Sequence, residues 1–438
     1  MKRSTTTRRT WYHTDLLRAI GKCLPKRGLP LQVADERVRW TPRLLATAAV
    51  LLGWVAGPTL AECFAAAREV LVGLYPTRRR PGKTLAGFLR TLSRQSGRWL
   101  SVVVASLRQR TETASGRRWR TGPYVVLAAD GSRVECPMTR SNERGLGCAG
   151  RQKTVPQVFV TCLYHVATGL LWGWSRGRGD ASERGQLQGV LGELPPWTLL
   201  LMDAGFPGYT LLRSLQRRGH EFIVRVGGNV TLLRKLGWSL RQDGQTVSLW
   251  PQQHRRTAPL TLRLVTVRAK GRRVYLLTSV REPHRLSDRQ VATLYGQRWG
   301  VEVLYRTLKR TLEHHRLRSD TPARAQVELD WYLAGLWMLG LMTRQAQGSR
   351  CAKHWSPAKA LSAVRLAMRC LNRPRRRGGL HAALRRARAD TYVRLRPKAS
   401  RHYARKKREH PPGRPRIRTA TKAEVAAAQK LKQPHLVN

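Results

Sequence analysis

Acidic residues are scarce in this chain: 25 Asp and Glu stand against 83 Lys and Arg in 438 residues. That shortage excludes a self-neutralised protein, because a net charge of +58 opposes compaction unless a polyanion offsets it. Paired cysteines are missing as well. The seven cysteines form no C-x-x-C pair and no Cys/His set with zinc spacing, which excludes a zinc finger and argues against a disulfide framework. They read as free thiols in a reducing compartment. No apolar run follows Met1-Lys2-Arg3-Ser4, so no signal peptide is expected, and the expected location is cytoplasmic. Long charge-free runs are almost absent. Residues 44–61 carry no charge and would just span a bilayer, but Gly53, Gly57 and Pro58 interrupt them; a buried helix ending near Ala56 is expected instead. The apolar patch 331–343 is too short to span. No internal repeat is present. Gly145-Leu146-Gly147-Cys148-Ala149-Gly150 lacks the Lys-Ser/Thr of a phosphate loop and reads as a flexible loop beside the active site.

What is present is an apolar content of 41%, enough for a sizeable core and two or three domains. With this charge, nucleic acid is the natural partner, since phosphates present closely spaced negative charge. A membrane surface also attracts cations, but here they are spread along most of the chain and not gathered on one amphipathic helix.

Residues 1–121 read as a helical DNA-binding domain, with long Ala/Leu-rich stretches at 43–56, 60–74 and 84–108 and basic connectors at Arg78-Arg79-Arg80 and Arg117-Arg118-Trp119-Arg120. The texture changes at Gly122. Residues 124–130, 155–165, 170–175, 197–203 and 221–226 read as strands, with a turn at Gly131-Ser132 and helices at 182–194 and 209–218. That order predicts a mixed α/β sheet. Residues 227–283 read as an all-strand insertion with a hairpin at Ala269-Lys270-Gly271. Ser287 with Gln290 starts a long helix to about His314, and a second helix covers 326–345. Residues 122–345 thus form one α/β block. Residues 346–438 form a basic region, partly disordered. From Arg373 on, Arg375-Arg376-Arg377, Arg405-Lys406-Lys407-Arg408 and Pro411-Pro412-Gly413-Arg414-Pro415-Arg416 read as extended until bound.

Against so basic a background, two aspartates close apolar runs: Asp130 after Val125-Val126-Leu127-Ala128-Ala129, and Asp203 after Leu199-Leu200-Leu201-Met202. Glu302 lies in Tyr295-x2-Arg298-x3-Glu302-x6-Lys309. On a straight helix these four residues fall within about 60° of one another, on one stripe. Arg306, a turn after Glu302, joins it. Such a stripe offers a carboxylate for metal, cations for phosphates and a phenol for the backbone. Each part alone has a plainer explanation. Charged helix faces are usually just solvated, and Asp-Gly is a common turn dipeptide. Together, three acids so placed suit a pair of divalent cations for phosphodiester chemistry.

The set Asp130, Asp203-x-Gly205-Phe206 and Tyr295-x2-Arg298-x3-Glu302-x6-Lys309 resembles the DDE transposases of bacterial insertion sequences, in the group with a Tyr-Arg-Glu-Lys signature around its glutamate. The resemblance covers residues 124 to 345. It implies a ribonuclease-H-like core with a β insertion between Asp203 and Glu302, and a nucleoid-associated bacterial enzyme. It implies that Asp130, Asp203 and Glu302 hold two Mg²⁺ ions, with Mn²⁺ as a possible substitute. Tyr295, Arg298 and Lys309 would contact transposon-end DNA. By analogy with hairpin-forming relatives, Trp250 and Trp299 are candidates to hold a flipped base. Neither is matched by motif, and a buried core tryptophan is the plainer reading of each. The implied activity is cut-and-paste transposition by a homodimer that synapses two terminal inverted repeats and joins them to target DNA. Two rivals stay open: a catalytically silent or domesticated DNA-binding derivative, and a same-fold nuclease without strand transfer. His314-His315 reads as a solvated helix end.

Overall fold

The computed structural model describes residues 12–25, 27–76, 80–149, 155–238, 245–269, 272–348, 355–373, 378–389 and 413–431. Arg78-Arg79, Gly150, Cys351, Lys270-Gly271, Arg375-Arg376-Arg377, Arg405-Lys406-Lys407-Arg408 and Pro411-Pro412 lie outside these residues.

Four helices open the chain: α1 (Tyr12–Gly21), α2 (Pro42–Trp54), α3 (Leu60–Leu74) and α4 (Leu85–Ser115). Then follow β1 (Val125–Glu135), α5 (Arg140–Leu146), β2 (Gln157–His165), β3 (Leu170–Arg178), α6 (Glu183–Gln188), β4 (Thr198–Met202), α7 (Tyr209–Arg217) and β5 (Glu221–Val226). Four strands come next: β6 (Thr231–Arg234), β7 (Thr246–Leu249), β8 (Leu260–Ala269) and β9 (Arg272–Thr278). Helices α8 (Asp288–Gln297), α9 (Gly300–Arg306), α10 (Pro322–Gln347), α11 (Pro357–Arg369) and α12 (Gly379–Arg386) precede β10 (Arg416–Thr419) and α13 (Lys422–Lys430). Among the described residues, no helix is long and apolar enough to cross a membrane.

The chain divides into two compact units. The first comprises Met1–Trp119, Gly131–Ala181 and Glu302–Asp390; the second comprises Arg120–Asp130, Ser182–Val301 and Thr391–Asn438. The first unit is built round α10, which is buried along most of its length and packs on α2, α4, α12 and β3. Two of its tryptophans find polar partners on α4: Trp331 donates its indole N–H to Ser96 Oγ at 2.8 Å and Trp337 donates to Thr111 Oγ1 at 2.9 Å. A buried indole N–H left unpaired costs about 1–3 kcal/mol, so these bonds fix which face of α4 turns inward. In the same unit β2 pairs antiparallel with β3.

In the second unit the opening residues of β1 pair in parallel with β4, and β4 in parallel with β5. Both strands read as continuous apolar runs, as strands covered on both faces do. The core is a ribonuclease-H-like mixed sheet. The insertion strands do not form a separate layer. β9 returns antiparallel beside β5, and β8, β7 and β6 follow outward in the same sheet.

Three expectations need correction. β1 does not turn at Gly131-Ser132; it runs on to Glu135, because Arg133 donates to Gly179 O at 2.8 Å and Val134 is buried. Asp130 therefore sits within a strand, where its fully buried part ends. The long helix from Ser287 is broken at Arg298-Trp299 between α8 and α9, and Thr307–Thr311 is a π-helical turn, so a uniform stripe over residues 295–309 does not hold. Finally, the basic tail is ordered in two places. Leu380 and Leu384 bury the apolar side of α12. β10 adds in parallel to β6, the strand at the sheet's edge, whose unpaired backbone groups favour such an addition. Glu424 then anchors α13: it accepts from Arg418 at 2.7 Å and from Arg255 at 2.5 Å, which holds its carboxyl down at about 2.

Candidate active site

The site in the second unit follows from strand register. Ala128 is level with Leu201, and Leu201 with Ile223. Two residues further along these parallel strands, Asp130, Asp203 and Arg225 fall in one row on one face, since side chains alternate with period two. The signature arginine lies over this row. Arg298, capping α8, is buried; its Nη1 lies 4.0 Å from Asp130 Oδ1 and its Nη2 3.4 Å from Asp203 Oδ2. Arg225 Nη1 approaches Asp203 Oδ1 at 3.9 Å. Tyr295, a turn before Arg298, donates its hydroxyl to Asp203 Oδ1 at 3.0 Å. Burial first, then the Asp203 carboxylate, push the Tyr295 phenol well above its ordinary value, so it stays a donor.

The ion pairs are loose. Charge-assisted N–H···O bonds measure about 2.7–2.9 Å, and these distances are longer. The Asp130 and Asp203 side chains keep 19% and 35% of their surface exposed, so both carboxylates face solvent.

The remaining signature residues belong to the first unit. Glu302 is in the first turn of α9 and Arg306 in its last. Lys309 lies in the π-helical turn and donates to Ser132 Oγ at 2.9 Å, two residues along β1 from Asp130. The arrangement thus brings together Asp130, Asp203, Tyr295 and Arg298. Among the described residues no three His, Cys, Asp or Glu side chains are grouped to hold a metal ion.

The two tryptophans part company. Trp250 is buried, with its indole N–H directed at Thr257 O (2.7 Å) and His254 O (3.1 Å) and the Arg255 guanidinium over its ring at 4.2 Å. That is a packed tryptophan, as its plainer reading expects. Trp299 is 56% exposed, contrary to that reading, because the helix break at Arg298-Trp299 turns it outward. His314 is not a solvated helix end either. It stacks on Tyr332 with ring centroids 3.6 Å apart and meets Gly53 O at 3.0 Å through Nε2, and burial lowers it to about 4.

Residues 121–338 match the family model of the transposase DDE domain. Over 219 residues the chain is 31% identical to the transposase InsG for insertion sequence element IS4 of Escherichia coli (strain K12), a stretch that makes up 47% of this chain and 49% of that protein. This chain belongs to the DDE transposases of bacterial insertion sequences. It spans about half the length of the curated relative it matches. A cryo-EM structure of the piggyBac transposase synaptic complex with hairpin DNA aligns over 90% of this chain and 84% of that one, at 13% identity and a TM-score of 0.39.

For a DDE transposase the donor chemistry of the row fits a hard divalent cation. Asp130 and Asp203 offer carboxylate oxygens from neighbouring strands, the type of ligand Mg²⁺ and Mn²⁺ take. Arg298 now supplies the countercharge between them. Arg225 escaped the sequence reading. Its signal was a cation inside the buried run Glu221-Phe222-Ile223-Val224-Arg225-Val226, at the level Asp203 occupies.

Proposed function

We propose that this transposase cuts DNA at transposon ends and transfers the resulting 3′-hydroxyls into target DNA, with Asp130, Asp203 and Glu302 as its metal-holding acids. The observation that supports this most is the row of Asp130 and Asp203 on adjacent parallel strands, bridged by the signature arginine. Two divalent ions held there would supply Lewis-acid stabilisation of the attacking and leaving oxygens. The chain's own groups do the rest. Asp130 and Asp203 would hold those ions by presenting their oxygens to one side of the sheet. Arg298 and Arg225 carry positive charge for the non-bridging oxygens of the phosphodiester. The Tyr295 hydroxyl holds Asp203 in orientation and remains protonated throughout. Lys309 and Arg306 are further cations for DNA phosphates, and exposed Trp299 offers an aromatic face to DNA bases. Trp250 is the weaker candidate, since its ring is packed. The partners would be the terminal inverted repeats and target DNA, bound by a homodimer, with no membrane.

The test uses a duplex carrying the inverted repeats that flank the reading frame. Cleavage that leaves 3′-hydroxyl ends, depends on Mg²⁺ or Mn²⁺ and is followed by joining to a second duplex supports the reading. Cleavage without joining leaves a nuclease, and binding without cleavage leaves a silent DNA-binding derivative.

A further inference from the structure

We propose that the outward face of α4 is a docking surface for the phosphate backbone of duplex DNA, with Arg90, Arg94 and Arg98 as its contact residues. This deepens the DNA-acting reading above, and it rests on observations outside the acid row.

The first observation is orientation. Phe88, Leu92, Val103 and Leu107 are buried, and Ser96 and Thr111 receive the α10 tryptophans, so the opposite side of the helix faces out. Arg90, Arg94, Gly97, Arg98, Ser101 and Ala105 are all exposed on that side. The arginines recur every four residues, about 6 Å per step along a straight axis. A duplex carries one charge per about 1.7 Å of its own axis, so each guanidinium finds a phosphate within reach.

The second observation separates these arginines from others on the same helix. Arg108 donates to Trp172 O at 3.1 Å, and Arg110 to Ser106 Oγ at 3.1 Å and Leu24 O at 3.3 Å; both are spent on the fold. The Arg90, Arg94 and Arg98 guanidiniums make no hydrogen bond or ion pair among the described residues, and only Arg98 has a neighbour, the Trp99 ring at 4.6 Å. Glu112 is the sole acid in this helix, far from the three. Like charges four residues apart destabilise a helix by about 0.2–0.5 kcal/mol per pair, and nothing in the helix relieves that repulsion. A polyanion would.

The third observation is Gly97. A methyl group there would meet nothing within 4 Å, so packing does not require glycine. Its interior helical position costs about 1 kcal/mol relative to alanine. A bare backbone between Arg94 and Arg98 permits the close approach of a ligand's sugar-phosphate chain.

The experiment compares binding of the full chain to random duplex over a salt series. Replacing Arg90, Arg94 and Arg98 together by glutamine should reduce the slope of log affinity against log salt by about 2 to 3, one released counterion per lost contact. A second triple, Arg385, Arg386 and Arg388 to glutamine, removes the same charge from exposed positions of the same unit and should change the slope by less than one. Lysine at positions 90, 94 and 98 should restore the slope. Equal losses in the two glutamine triples would mean a diffuse field and overturn the proposal, as would an unchanged slope. A drop in melting temperature in the ladder variant, unrestored by lysine, would make the face structural and also overturn it. Binding needs no strand cleavage, so absence of cleavage in every protein, wild type included, counts against the transposition reading and leaves this result standing.

Discussion

Two pairs of acids in this molecule have opposite surroundings. Glu328 and Asp330 on α10 are buried and saturated. Glu328 accepts from the Arg318 and Ser319 backbone N–H groups at 3.0 and 2.9 Å and from the Tyr332 hydroxyl at 2.8 Å. Asp330 accepts from the Trp174 indole at 2.8 Å and from Arg176 at 2.7 Å. Asp130 and Asp203 keep part of their surface in solvent and face cations at 3.4 to 4.0 Å. Buried carboxylates survive only when every lone pair is served. Carboxylates with loose partners and an open side have capacity left for a ligand. In a chain with 25 acids, this difference sets the acids that hold the fold apart from the pair proposed above to serve chemistry.

The largest expected effect tests the open pair. Asp130→Asn or Asp203→Asn should reduce cleavage about a thousandfold or more, since several kcal/mol of charge stabilisation are at stake. The melting temperature should fall less than for the saturated pair, because these carboxylates are partly open to solvent and their ion pairs are long. Glu302→Gln should behave alike. A variant that cuts at near-normal rate takes its residue out of the chemistry.

The saturated pair should respond in the opposite sense. Asp330→Ala leaves Arg176 and the Trp174 indole without their acceptor, at about 3 kcal/mol, or some 6–12 °C in melting temperature for a unit of this size. Cleavage at low temperature should persist. If Asp330→Ala melts like wild type but cannot cut, the division between the two pairs is wrong.

The contrast was only half visible in the sequence. Asp130 and Asp203 stood out because each closes an apolar run, and strand pairing converts that pattern into a row. Glu328 and Asp330 lie in a helix whose partners come from residues up to 156 positions away, and no local pattern encodes such contacts. The helix break at Arg298-Trp299 was hidden for a related reason. Residues 288–306 contain no proline, and only Gly296 and Gly300, which flank the break, weaken helical propensity there. Arg298 itself keeps helical dihedrals, and its side chain reaches towards the two aspartates, a tertiary contact that no local pattern encodes. The ordered tail was missed because β10 exists only on the edge that β6 supplies.

A smaller effect should divide the two arginines that face the open pair. Arg298 reaches both aspartates and is buried; Arg225 reaches only Asp203 and is more exposed. Arg298→Ala should weaken binding to nicked or cleaved transposon ends about tenfold more than binding to random duplex, because contacts at the cut differ from general backbone contacts. Arg225→Ala should show the same preference at about threefold, near half of that free energy. Equal losses on both substrates would demote both to ordinary phosphate contacts.

The smallest effect concerns protons in the first unit, where the saturated acids share the interior with two neutral histidines. Burial lowers His165 and His314 to about 4, so between pH 6.5 and 4 the unfolded chain binds protons that the folded chain refuses. Stability therefore falls as pH drops through that window. Burial raises the carboxyls of Glu328 and Asp330, so in the window above the ordinary carboxylate value the folded chain binds the extra proton. Their contribution rises as pH drops and opposes that of the histidines. His314→Gln should lower the melting temperature at pH 7, where stacking on Tyr332 is lost, yet make its decline toward pH 4.5 shallower. Glu328→Gln should make the same decline steeper. Melting curves at half-unit pH steps decide the matter through their slopes, which are insensitive to the constant cost of each substitution. Parallel slopes in wild type and both variants would show that these buried groups do not set the acid limit of the fold.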